Sequence, residues 1–192
     1  VACFCRRPPL SVAVDLPDPA FQGEGRVLRL EYDRFWLFNI YFPNSGMGPD
    51  RLAYKLGFYA AFLAHAEELR RIKPVVVGGD FNIAPTDADV HNPDKWLGCN
   101  LVSPAERQAL QKLMDLGLSD AFRLFEQAEK SFSWWDYRQM AFRRNAGLRI
   151  DLILLSQPLA DACVECVIDK EPRKHEQPSD HTPVWAALEL NT

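Results

Sequence analysis

Across residues 27–32 apolar and polar positions alternate: Leu28, Leu30 and Tyr32 share one face, Val27, Arg29 and Glu31 the other. That period of two predicts a half-buried strand. Asp33-Arg34 interrupts it, and residues 35–42 follow as a more apolar run, so 27–42 is expected to form a β-hairpin. Residues 43–50 are a loop rich in Gly, Pro, Asn and Ser. The period then changes. Leu52, Leu56, Tyr59, Leu63 and Ala66 recur at helical spacing within 51–71. Pro74 ends that segment, and Val75-Val76-Val77 opens a buried strand that runs into Gly78-Gly79-Asp80-Phe81-Asn82.

A second helix begins with its own signature: Ser103 as N-cap, Pro104 in the first turn, Glu106 to complete a capping box. Leu110, Leu113 and Met114 supply its apolar stripe, and Gly117 is placed to stop it. Residues 149–156, 163–169 and 182–190 read as three further strands. Hairpin-length links between several strands argue for mixed sheets with packed helices, not an all-parallel doubly wound sheet.

The 192 residues fit one domain with a sizeable core, at 47% hydrophobic and 25% charged. A net charge of −4 excludes a histone-like or tail-driven nucleic-acid binder, though not an enzyme with a local basic rim. No apolar run is long enough to span a membrane, and the first residues lack the order of a signal peptide. With no Met at its start, Val1 is expected to be a processed or truncated beginning. Five cysteines argue against a fully paired framework. Cys163 and Cys166, with Cys3 and Cys5, have metal-pair spacing. Against zinc, an offset of three along a strand sends side chains to opposite faces, so buried thiols are the better reading.

Chemistry gathers at three strand ends: Val-Val-Val-Gly-Gly-Asp80-Phe-Asn82, Leu-Arg-Ile-Asp151 and Pro-Ser-Asp180-His181. If those strands lie side by side, three carboxylates converge on one imidazole. Such a group repels itself unless it holds a proton or a divalent ion with oxygen ligands. A carboxylate beside a His also fixes the tautomer and holds the ring's charge near a phosphate.

Gly79-Asp80-Phe81-Asn82, Tyr41-Phe42-Pro43-Asn44, Gly147-Leu-Arg-Ile-Asp151 and Ser179-Asp180-His181 resemble the endonuclease/exonuclease/phosphatase superfamily. Phe132-Ser-Trp-Trp-Asp-Tyr-Arg138 narrows the resemblance to the exonuclease III family of apurinic/apyrimidinic endonucleases. It implies an α/β (α+β) fold, a four-layer sandwich of two mixed β-sheets flanked by helices, N-terminally incomplete. It implies Mg²⁺-dependent hydrolysis of duplex DNA 5′ to abasic sites, with 3′→5′ exonuclease or 3′-repair activity, Mn²⁺ being an alternative ion. Asp80 matches the residue that activates water, Asn82 its orienting partner, and both stand near the metal with Asp180. His181 matches the imidazole on the scissile phosphate, Asp151 its carboxylate, Tyr41 a phenol near the leaving group and Asn44 a phosphate contact. Trp134, Leu148 and Ile150 match the pocket for a base-free sugar.

Arg138, Arg143, Arg144 and Arg149 follow one another with no acid between Arg138 and Arg149, a basic rim for phosphates that Arg51, Lys55, Arg173 and Lys174 extend. Members of the family also carry an upstream Glu that binds the metal; this sequence has no counterpart, and Met47 stands where some relatives place a basic residue. The expected partner is double-stranded DNA with abasic sites or 3′ ends, in a bacterial cytoplasm at the nucleoid and without membrane, with self-association through the uncovered N-terminal edge. Two other readings stay open: a non-catalytic DNA-binding remnant, and a superfamily phosphatase, against which the Trp-Trp segment speaks.

Overall fold

Phe42 stands at the centre of the main core, against Phe58, Tyr59, Phe62 and Phe81. Those five rings come from a strand end, a helix and the loop after another strand, so burying them fixes three elements at once. The computed structural model describes residues 1–46 and 48–190; Met47, Asn191 and Thr192 lie outside the described residues.

The strands are β1 (Ser11–Val14), β2 (Val27–Glu31), β3 (Trp36–Tyr41), β4 (Val75–Asp80), β5 (Leu118–Asp120), β6 (Asp151–Ser156), β7 (Cys163–Ile168) and β8 (Val184–Leu188). The helices are α1 (Pro49–Arg70), α2 (Pro93–Trp96), α3 (Pro104–Met114) and α4 (Gln157–Ala160). Six strands form one sheet in the order β1-β2-β3-β4-β6-β5, and β7 pairs with β8 separately. Within the large sheet only β3 and β4 run parallel; the expected hairpin is the antiparallel β2–β3 pair. The architecture is the expected α/β sandwich of helices on packed sheets. The two described strands of the second sheet run antiparallel.

α1 starts two residues before its expected frame and ends one residue short of it, and its buried face is rotated. The buried positions are Lys55, Phe58, Tyr59, Phe62, Ala66 and Leu69. Leu52, Leu56 and Leu63 are only half-buried, since a helix this apolar leaves periodicity a wide arc to choose from. α3 forms as expected: Ser103 Oγ accepts from the Glu106 backbone, and Glu106 accepts in return from Ser103. The short β5 was not legible as a strand, and no strand forms before Ser11.

Cys163 and Cys166 are a further correction. They sit in one buried cluster rather than on opposite faces, because the β7–β8 register shifts between Cys163 and Glu165. An extra residue in one strand brings an offset of three back to one side. All five thiols are free.

Gly79 places the end of β4. It sits at φ +139°, and a Cβ there would lie 1.9 Å from the Ile40 carbonyl oxygen on β3. Gly79→Ala is expected to cost about 3 kcal/mol or more, or to prevent folding, by urea denaturation. Gly78→Ala meets nothing nearer than 4.0 Å and should change stability little.

Candidate active site

Asp80 and Asp151 are direct cross-strand partners at the last rung of the β4–β6 pair, and Tyr41 is in register with Asp80 on the other side. Opposed carboxylates on one rung repel. Burial, then the charge of Asp151, pushes the Asp80 carboxyl up to about 7, although His181, the Asn82 N–H and Lys55 work against that rise.

The compensating groups are within reach. Asp80 Oδ1 accepts from the Asn82 backbone N–H at 2.8 Å, and Oδ2 from Asn82 Nδ2 at 3.0 Å. Asn82 Nδ2 also donates to the Phe42 carbonyl at 3.0 Å, and its Oδ1 accepts from Asn44 Nδ2 at 3.1 Å. Asp151 faces His181, whose Nδ1 lies 2.9 Å and 3.1 Å from the two carboxylate oxygens. Burial opposes charge on His181, but the hydrogen bond and charge of Asp151, then Asp80 and Asp180, outweigh it and hold the imidazole above its ordinary range. Five of the expected residues therefore share one hydrogen-bonded chain or its next rung: Asn44, Asn82, Asp80, Asp151 and His181. Tyr41 stands beside it, 42% exposed, with the Arg26 guanidinium 5.0 Å from its ring centre.

Asp180 is held differently. Its Oδ2 accepts from Trp134 Nε1 at 3.0 Å, and its backbone carbonyl from the Trp135 N–H. Trp134 bridges both Leu148 and His181, so it braces the His loop, half-buried at the cluster's edge. Leu148 and Ile150 are 0% and 2% exposed, packed with Trp134 in the core. They back Trp134 and do not line an open sugar pocket.

Arg149 corrects the expected DNA rim. It is 1% exposed, donating through Nε to Asp89 at 2.6 Å and through Nη2 to Asp120 at 2.7 Å. Two carboxylates drew the guanidinium inward, where its geometry suits paired acceptors. Lys55 and Arg173 are buried as well, whereas Arg143, Arg144, Arg51 and Lys174 remain exposed.

Residues unmarked by their motifs also shape the site. Ser133 Oγ, fully buried, accepts the backbone N–H groups of both Ile150 and Asp151 at 3.0 Å. A lone Ser between Phe132 and Trp134 was its only trace.

Residues 1–181 match the model of the Endonuclease/Exonuclease/phosphatase family. The chain belongs to that family. It is 37% identical to the exodeoxyribonuclease III of Haemophilus influenzae over 97% of this chain and 75% of that protein. It is 33% identical to an exodeoxyribonuclease of Bacillus subtilis, over 98% and 74%. Among solved structures, a 3′ phosphatase from Neisseria bound to product DNA hairpin aligns with a TM-score of 0.89 at 36% identity, over 95% of this chain and 72% of the other. An AP endonuclease from Archaeoglobus fulgidus aligns at 0.86 and 32%, over 96% and 72%. The chain thus falls in the exodeoxyribonuclease III and AP endonuclease branch and spans about three quarters of these relatives.

The family depends on a divalent metal, and the donors here fit it only in part. Asp80 and Asp151 supply oxygen donors on one rung, of the kind a divalent ion takes. Yet among the described residues no three His, Cys, Asp or Glu side chains are grouped as a metal would need. Asp80, Asp151 and Asp180 are turned toward Asn82, His181 and Trp134 respectively. The described residues do not complete a metal site.

Asp80 also makes the fold pH-dependent. With a folded value of about 7 against 3.8 ordinarily, the unfolded chain ionises first as pH rises. The resulting penalty is absent below pH 4, grows up to about 7 and is constant above. In EDTA, the stability of Asp80→Asn relative to the parent is expected to rise by about 1–3 kcal/mol from pH 5 to pH 8, read by urea denaturation.

Proposed function

We propose that this chain carries the larger part of a Mg²⁺-dependent DNA-repair nuclease that hydrolyses phosphodiesters 5′ to abasic sites and trims or repairs 3′ ends. The observation that supports it best is the Asp151–His181 pair opposite an Asn82-held Asp80, on a chain over a third identical to an exodeoxyribonuclease III. A DNA duplex with abasic sites or 3′ ends is the proposed substrate, and a bacterial cytoplasm its place. The likeness to a 3′ phosphatase from Neisseria favours 3′-end chemistry within the same reading.

In this reading ionised Asp80 takes a proton from the attacking water, and Asn82 keeps the carboxylate aimed. His181, charged and turned by Asp151, offsets negative charge developing on the phosphoryl oxygens. Asn44 contacts the phosphate, and Tyr41 stands on the leaving-group side. Arg143 and Arg144 make the remaining sequence-independent contacts. A bound Mg²⁺ would supply Lewis-acid stabilisation, with donors beyond those described completing its shell. A non-catalytic remnant is the second reading, favoured by that incomplete donor set.

Residues 1–192 alone are expected to bind Mg²⁺ weakly and to cut abasic duplex slowly. Adding an N-terminal segment from a relative should restore EDTA-sensitive cleavage. Asp80→Asn in that complemented protein should lose at least about 100-fold in kcat with DNA binding kept. No cleavage after complementation, with DNA still bound, would favour the remnant; faster turnover of an inositol phosphate would move the chain to another branch.

For the rim, Arg143→Ala with Arg144→Ala should weaken duplex binding and reduce the slope of log Kd against log salt by up to about two. An unchanged slope would make both residues plain solvated surface.

A further inference from the structure

We infer that Lys55 and Tyr59 are positioning residues, a clamp from α1 that grips two consecutive backbone carbonyls and so sets the aim of Asn82, Asp80 and Asn44. The inference deepens the proposed function and rests on reading that cluster as the catalytic one.

Lys55 Nζ donates to the Asn82 carbonyl at 2.6 Å, and the Tyr59 hydroxyl to the Phe81 carbonyl at 2.7 Å. The two side chains are one helical turn apart on the same face of α1, so they reach neighbouring peptide units. Both residues are buried, Lys55 at 0% exposure and Tyr59 at 2%. What they hold is a turn of defined geometry. Asn82 sits at φ +51°, a left-handed conformation that Asn adopts more readily than other residues with a Cβ. From that conformation its N–H and its amide both turn to Asp80.

The cation extends the grip to the Asn44 loop. Lys55 pairs with Glu106 at 2.6 Å, both side chains fully buried. The same Glu106 oxygen accepts from Ser45 Oγ at 2.9 Å and from the Leu101 N–H at 3.1 Å. One ion pair thus ties the loops around residues 45, 82 and 101 to two helices. Stability alone does not call for a buried ion pair here, since apolar residues of similar size often serve as well. An apolar pair cannot hold the Asn82 carbonyl.

That difference supplies the test, run on the full chain in EDTA by NMR. Tyr59→Phe keeps the ring and removes one grip; Lys55→Met with Glu106→Leu removes the other without leaving an unpaired charge. The Asn82 backbone N–H is expected to exchange with solvent at least about 10-fold faster in the double variant and about 3-fold faster in Tyr59→Phe. The Asn82 side-chain amide resonances should shift in both, while amides in the centre of the β4–β6 pair stay as in the parent. Folded variants with parental Asn82 exchange and resonances would overturn the clamp. If the double variant does not fold, Tyr59→Phe decides alone. In the complemented nuclease, Tyr59→Phe should lower kcat about 10-fold at constant KM; a raised KM with kcat intact would overturn it. An inactive parent would sink the catalytic reading while leaving the exchange result to stand, because exchange reads the loop without substrate.

Discussion

Asp80 opposite Asp151 on a single rung is the constraint to which the surrounding structure responds. A sheet brings such partners to about 5 Å, where like charges oppose folding. Each neighbour of the rung acts on that cost. Asn82 offers two donors to Asp80, His181 brings a charge to Asp151, and Ser133 fixes the backbone from which Asp151 projects. The parallel β3–β4 register adds Tyr41 to the row, and the Trp134 bridges bring the His181 loop alongside. A rung costly to fold is therefore held in one geometry by groups that would also serve phosphate chemistry.

Buried cations show a second side of the same economy of charge. Lys55 and Arg149 each sit at 1% exposure or less, and each meets two oxygen acceptors. Removing one partner from such a group strands the other, so these pairs specify loop positions more than they add stability. They also withdraw basic residues from the surface of an acidic chain. The exposed positive edge shrinks to Arg138, Arg143 and Arg144 along the segment where Arg149 was expected to join it. A polyanion would meet few phosphate contacts there, which suits an encounter that is readily reversed.

The sequence made strands, helices and the strand-end acids legible because each leaves a local trace: period, capping box, terminal glycine. α3 shows this best, with Ser103, Pro104 and Glu106 all in their expected roles. What stayed hidden depends on the third dimension. Glu106 looked like a cap alone, yet it also neutralises Lys55 from 51 residues away. Lys55 lies on the stripe of Phe58, Phe62 and Ala66, but a lysine within an apolar stripe is ordinarily read as surface. Arg149 looked like rim because its acids, Asp89 and the β5 residue Asp120, come from segments distant in sequence. The bulge that reunites Cys163 and Cys166 leaves no mark in composition.

The space between the two sheets links the cluster to the rest of the molecule. Leu37, Val76 and Ile153 of the large sheet face Val184 and Ala186 across an apolar groove of about 640 Å³, and Asp151 stands on its wall. Water in the groove screens the Asp80–Asp151 repulsion and weakens the Asp151–His181 pair alike. Apolar atoms in its place lower the local dielectric and strengthen both. Of the charged cluster Asp151 lines the groove, so the groove's contents bear on the interactions that Asp151 makes with Asp80 and His181. By linkage, a segment that fills the groove only in the folded chain stabilises the fold by an amount that grows with the logarithm of its affinity.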